Sequence, residues 1–241
     1  MRLVALALAL GAWTAAPANA QFAPHLVPQV GPPVGTDALV GAIAETLDSL
    51  RVDGLSFALD RDVIAWNIDV GGLGTPDTRA VVIRRVDGGY VGLWALGSPW
   101  YDGKDEAGTW SAERARRVHY DTGAAVLDST VALAVGAVWA LAVLGTRHQR
   151  PEEVEGFIVL DGSSSYYARW IDYYGVASGW SRGAPPGSPA ARLAWLSGML
   201  LQHLRGPEDG SENVVTADAL TAEAQDVLRV FDPEGHYRLA E

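Results

Sequence analysis

The segment from Val131 to Leu144 constrains the fold more than any other, because it carries only apolar side chains and one glycine. Wound as a helix, such a run is apolar on every side and has to be buried on every side. At 1.5 Å per residue it would be about 21 Å long, short of the ~30 Å hydrocarbon core of a bilayer. The expectation is a helix buried inside a domain, capped by Asp128 or Ser129. A membrane span is the competing reading, since Arg147, His148 and Arg150 follow and would suit a cytoplasmic flank.

The rest of the chain supplies layers for that helix. Thr36 or Asp37 can cap a first helix, whose Leu39, Val40, Ile43, Leu47 and Leu50 recur at helical spacing. Short strands are expected at Leu55–Leu59 and Val63–Ile68, with a loop from Gly71 to Thr78. Ala80–Val86 and Tyr90–Gly97 flank Asp87-Gly88-Gly89, which is a hairpin signal. Residues 98–118 read as polar and turn-rich. Phe157–Leu160, ending in Asp161-Gly162, has the all-apolar pattern of a strand covered on both faces. Ser188-Pro189 opens a helix that stops at Gly206, and Thr216 opens a last one ended by Pro233. The fold class predicted is α/β: a three-layer domain with a central mixed β-sheet and helices on both faces, filling residues 36–241.

The N-terminal region reads differently. Arg2, the apolar run Leu3–Ala12 and the small residues of Ala18-Asn19-Ala20 have the order of a cleavable secretory signal over residues 1–20, with cleavage before Gln21. Residues 21–35, with Pro24, Pro28, Pro32 and Pro33, read as a loose Pro/Gly-rich arm. The expected location is secreted, periplasmic or the lumen of the secretory pathway. The chain has no cysteine, so an exported domain of this kind must be held by packing alone. Its hydrophobic content and the eight tryptophans that follow the signal argue that it has a core to do so. The formal charge of −11, with no basic stripe, excludes nucleic acid as a partner.

Three groups of residues could carry chemistry. His119-Tyr120-Asp121 followed by Asp128 offers an imidazole and two carboxylates, a ligand set that zinc accepts. The plain reading is a surface histidine among Arg114, Arg116 and Arg117. Asp121-Thr122-Gly123-Ala124 matches the aspartic-protease tetrapeptide. That chemistry needs two carboxylates sharing a proton, and the one echo is Asp161-Gly162-Ser163-Ser164. Ser163, Ser164 and Ser165 follow a strand but lack the Gly-x-Ser-x-Gly elbow, and read as a turn.

The order of parts resembles the zinc exopeptidase fold of aminopeptidases and glutaminyl cyclases. The similarity runs through Ser98-Pro99-Trp100-Tyr101-Asp102 after the hairpin, Asp128-Ser129 before the buried helix, and Asp161-Gly162 after Phe157–Leu160. It implies a zinc-dependent aminopeptidase or glutaminyl cyclotransferase using His119, Asp121 and Asp128. Against activity, Trp100 stands where a histidine ligand belongs, and Ser163 and Ser164 where the acid pair belongs. A serine hydroxyl is not ionised at neutral pH and cannot act as that base. Asp87-Gly88-Gly89 with Ser98-Pro99-Trp100, and Trp170-Ile171-Asp172-Tyr173-Tyr174, are similar to the metal-free attachment subunit of the GPI transamidase. The resemblance therefore implies an exported, non-catalytic binding or scaffold domain, a pseudoenzyme with no cofactor and a protein or peptide partner. Its binding residues would be Trp100, Asp102, Tyr166, Trp170 and Tyr174, on a cleft rimmed also by Trp94, Trp110, Tyr167 and Tyr173.

Overall fold

A computed structural model of the chain describes residues 26–28, 38–71, 78–146, 163–182, 184, 186–207 and 214–235. The expected signal, the Phe157–Leu160 strand and Asp161-Gly162 lie outside the described residues. The sheet is built first from a meander of β4 (Val63–Val70), β5 (Thr78–Val86), β6 (Gly89–Gly97) and β7 (Asp121–Leu127). The chain then passes through helix α4 (Ser129–Leu144) and returns as the hairpin β8 (Ser164–Ile171) and β9 (Gly175–Arg182). A two-residue strand β1 (Val27–Pro28) lies beyond β9, giving the order β1-β9-β8-β4-β5-β6-β7. Helix α1 (Ala38–Ser49) and the small hairpin β2 (Arg51–Val52) and β3 (Leu55–Ser56) precede the meander. Single turns α2 (Pro99–Asp102) and α3 (Ala112–Ala115) join β6 to β7, and helices α5 (Pro189–Arg205) and α6 (Ala217–Phe231) follow the sheet.

Every neighbouring pair of strands is antiparallel, which corrects the expected mixed sheet. The reason lies in where the crossover ends. A strand, a buried helix and a strand in sequence imply parallel neighbours if the helix crosses one position. Here α4 carries the chain from edge strand β7 past β6 and β5 to lie beside β4, so β7 and β8 never meet.

Alternation along the strands divides the core in two. Trp66, Ile68, Val70, Ala80, Val82, Leu93 and Ala95 pack beneath Val40, Ile43 and Leu47 of α1. The opposite face, with Ile64, Val81, Ile83, Leu127 and Tyr167, is covered by α4, α5 and α6. Helices thus lie on both faces.

The expected buried helix is α4, whose residues from Val131 to Val143 are almost all inaccessible. It is buried because β8, β4 and β9 lie on one side of it and α6 on the other. Trp139 fixes its depth: the indole N–H donates to the Trp66 carbonyl at 3.1 Å, and the ring meets Tyr167 edge-on at 5.7 Å. Among the described residues no helix is long and apolar enough to cross a membrane. Ser188 and Thr216 cap α5 and α6 through side-chain oxygens that accept from Ala191 and Ala219 N–H, as their positions in the sequence imply. The arm is not wholly loose, because Leu26 is buried in the helix-side core and Val27–Pro28 pair with Trp180 and Gly179.

Candidate binding surface

The expected zinc ligands do not come together. His119 is exposed in the loop before β7, Asp121 opens the strand, and Asp128 follows its far end. An extended strand advances ~3.3 Å per residue, so Asp121 and Asp128 stand about 23 Å apart, whereas zinc ligands sit about 2 Å from the metal. Asp128 instead caps α4, accepting from Thr130 N–H at 2.7 Å, and these hydrogen bonds hold its carboxyl below the usual range. Among the described residues no group of three or more histidines and carboxylates could hold a metal ion. As placed, His119, Asp121 and Asp128 do not fit one zinc ion.

Asp121-Thr122-Gly123-Ala124 is the first half of β7, paired residue by residue with Leu96 to Leu93. A ladder strand holds these residues extended, whereas a shared-proton dyad needs two carboxylates brought side by side.

Trp100 and Asp102 lie at the end of the sheet where β6 finishes. Trp100 stacks on Trp110 at 6.2 Å, Lys104 Nζ lies 4.7 Å from the Trp100 ring, and the Trp110 indole donates to the Pro99 carbonyl at 3.1 Å. The two tryptophans are engaged with one another, and Lys104 lies over the rings of Trp100 and Tyr101. Beside them Asp102, Arg114, Arg117, Val118 and His119 line a shallow open depression of about 540 Å³.

Tyr166, Trp170 and Tyr174 belong together on the β8–β9 hairpin. Tyr166 lies opposite Trp180 and stacks on it at 6.3 Å and 18°, while Trp170 lies opposite Val176. Because these positions alternate along the strands, they share one face, and Tyr167 points to the other, into the core. Chain direction turns over Asp172, Tyr173 and Tyr174, with Tyr174 N–H donating to the Ile171 carbonyl at 3.1 Å. Tyr173 takes a left-handed φ of +69°, rare for a non-glycine residue, and Gly175 a φ of +82°. The turn leaves Tyr173 fully exposed and Tyr174 87% exposed. Its signal in the sequence is a pair of tyrosines just before a glycine.

Trp100 and Asp102 do not share this surface. Gly97 pairs with Thr78, and Thr78 with Val70, which pairs with Ser164 at the start of β8, so Trp100 and Tyr174 stand at opposite ends of the sheet. The aromatic residues therefore do not rim one cleft. Trp94 sits under Arg205, 5.5 Å from its guanidinium, and Trp195, 64% exposed on α5, is a further surface aromatic that the sequence patterns did not single out.

A polar group lies inside the helix-side face. Asn67 donates to the Tyr166 carbonyl at 3.1 Å and to Asp69 at 3.3 Å, and Asp69 lies opposite Ser165 and Arg79 on the neighbouring strands. Burial pushes the Asp69 carboxyl up, against the opposing pull of Ser165, Asn67 and Arg79. Burial, then the nearby Asp69, pushes the Tyr167 hydroxyl well above its ordinary range. Asn67 and Tyr167 are buried, and Asp69 is half-buried beside them.

Compared with known proteins, the chain matches no family model, no curated protein and no solved structure.

Proposed function

We propose that this chain is a non-catalytic binding domain acting after export, and that its receptor surface is the outer face of the β8–β9 hairpin. One observation carries the reading: Tyr173 and Tyr174 stand in solvent at the tip, continuous with the Trp170–Val176 and Tyr166–Trp180 pairs. Tyrosine and tryptophan bring large contact area on few torsions together with a polar tip, which suits a protein or peptide partner. The distance of Asp128 from His119 and Asp121 weighs against the zinc peptidase and cyclotransferase readings.

The test pairs binding with turnover. Fluorescence anisotropy with labelled extended peptides, aromatic-rich and proline-rich, is measured on the wild type and on Tyr173→Ser/Tyr174→Ser. The expected loss in the variant is about tenfold or more, roughly 1.4 kcal/mol per decade. Aminoacyl-naphthylamide and N-terminal glutaminyl substrates, with added zinc, should not be turned over. Turnover abolished by Asp128→Ala, or peptide binding indifferent to the tip, would overturn the reading.

A further inference from the structure

The two edges of the sheet are finished differently. On one side β9 is covered at Gly179 and Trp180 by β1, which presents Pro28 at the edge, a residue that cannot donate to a further strand. On the other side β7 pairs with β6 alone, and among the described residues nothing pairs with its outer edge. Apart from Asp121 at its start and the nearby β2 strand, β7 lacks the devices that blunt an edge. Its sequence, Asp-Thr-Gly-Ala-Ala-Val-Leu, has no lysine, arginine or proline, its register with β6 runs unbroken from Leu127 to Asp121, and Val126 is 86% exposed.

Charge is polarised along this edge. Before the strand, Arg114, Arg117 and His119 outnumber the one carboxylate, Asp102, in the lining of the open depression, and Asp121 opens the strand beside it. After it comes Asp128, with Asp87 in the adjacent β5–β6 turn. The Arg117–Glu113 pair is about three-quarters exposed on both sides, so it holds Arg117 only weakly. An antiparallel two-fold pairing of β7 with a second β7 sets the start of each strand against the end of the other. With Ala124 centred on itself, Asp121 falls opposite the apolar Leu127, and Asp128 comes level with Tyr120, next to His119 and the two arginines. The small side chains of Gly123, Ala124 and Ala125 leave the middle of the ladder unobstructed.

We infer that the outer edge of β7, unpaired among the described residues, is a self-association surface whose occupant is a second copy of this chain, joined as a continuous antiparallel sheet across two molecules. Arg114, Arg117 and His119 in the depression of each copy receive Asp128 of the other. An extended peptide from another protein could use the same backbone groups. It would not match both ends at once as the two-fold arrangement does.

Sedimentation velocity on the full chain, over a concentration series up to about 0.1 mM, tests this alongside amide exchange across 121–127. The wild type should dimerise, with exchange in 121–127 slowing as concentration rises. Val126→Lys, at a position too exposed to disturb folding, should be monomeric with an unchanged thermal midpoint. Asp128→Asn keeps a good helix cap while removing the charge. It should weaken the dimer several-fold and flatten its dependence on salt. A wild type that stays monomeric, or a dimer that both variants leave intact, would overturn the inference. Monomeric wild type that instead slows exchange at 121–127 on adding an extended peptide would assign the edge to a different partner.

Discussion

At the residue scale, the most telling group is Asp69. Its folded-state pKa is raised above the ordinary 3.8, chiefly by burial, so the folded protein binds a proton that the unfolded chain has released. Stability is then greatest below the unfolded pKa and declines as pH rises through the folded value. At neutral pH the carboxylate is a net liability. Asp69→Asn keeps the shape and a hydrogen-bonding oxygen while removing the charge, so its urea midpoint at pH 7 should exceed that of the wild type. The advantage should vanish below about pH 4, where the unfolded chain is protonated as well. An Asn variant less stable than wild type at pH 7 would mean that the bonds from Ser165 and Asn67 outweigh burial. Asp128 titrates the other way: its pKa is lowered, so the help it gives α4 is lost as pH falls through that lowered value.

At the element scale, legibility followed local signals. The β5–β6 hairpin was plain because two apolar runs flank a tight turn, and Gly88 sits there at φ +87°. Helix α4 was plain because nothing polar interrupts it, and α5 and α6 because serine and threonine caps open them. The strands β7, β8 and β9 were not. Asp-Thr-Gly-Ala-Ala-Val-Leu has little intrinsic strand preference, Ser164 and Ser165 read as a turn, and β9 is rich in glycine and serine. Their conformation comes from long-range partners: β6 for β7, β4 for β8, and β8 for β9. The same reliance makes close packing visible in β6. A Cβ on Gly97 would stand 2.7 Å from the Tyr120 ring, which is itself buried. Gly97→Ala should therefore destabilise the protein by about 1–3 kcal/mol, read from denaturant unfolding. Gly41→Ala, where a Cβ meets nothing, should not be destabilising.

At the scale of the whole molecule, the candidate surface was only partly legible for a related reason. Tyr166, Trp170 and Tyr174 were recognisable as surface aromatics, but which of the aromatics share a face depends on register, and register is set by partners far away in sequence. The arm gives the sharpest case. Its prolines imply a loose segment, yet Leu26 is 1% exposed and packed with the residues beneath α4 and α5. Burial of one leucine outweighs the disorder that the surrounding prolines favour, since a fully buried leucine is worth ~1.5–3 kcal/mol. Leu26→Ala should cost about 2–5 kcal/mol, the usual range for a leucine truncated in a core. Amide exchange should also quicken at Gly179 and Trp180, where β1 covers the edge of β9. An arm that merely trails from the domain would leave both the unfolding midpoint and the β9 amides unchanged. A substitution near the N-terminus that destabilises the sheet's far edge shows instead that this segment closes the domain.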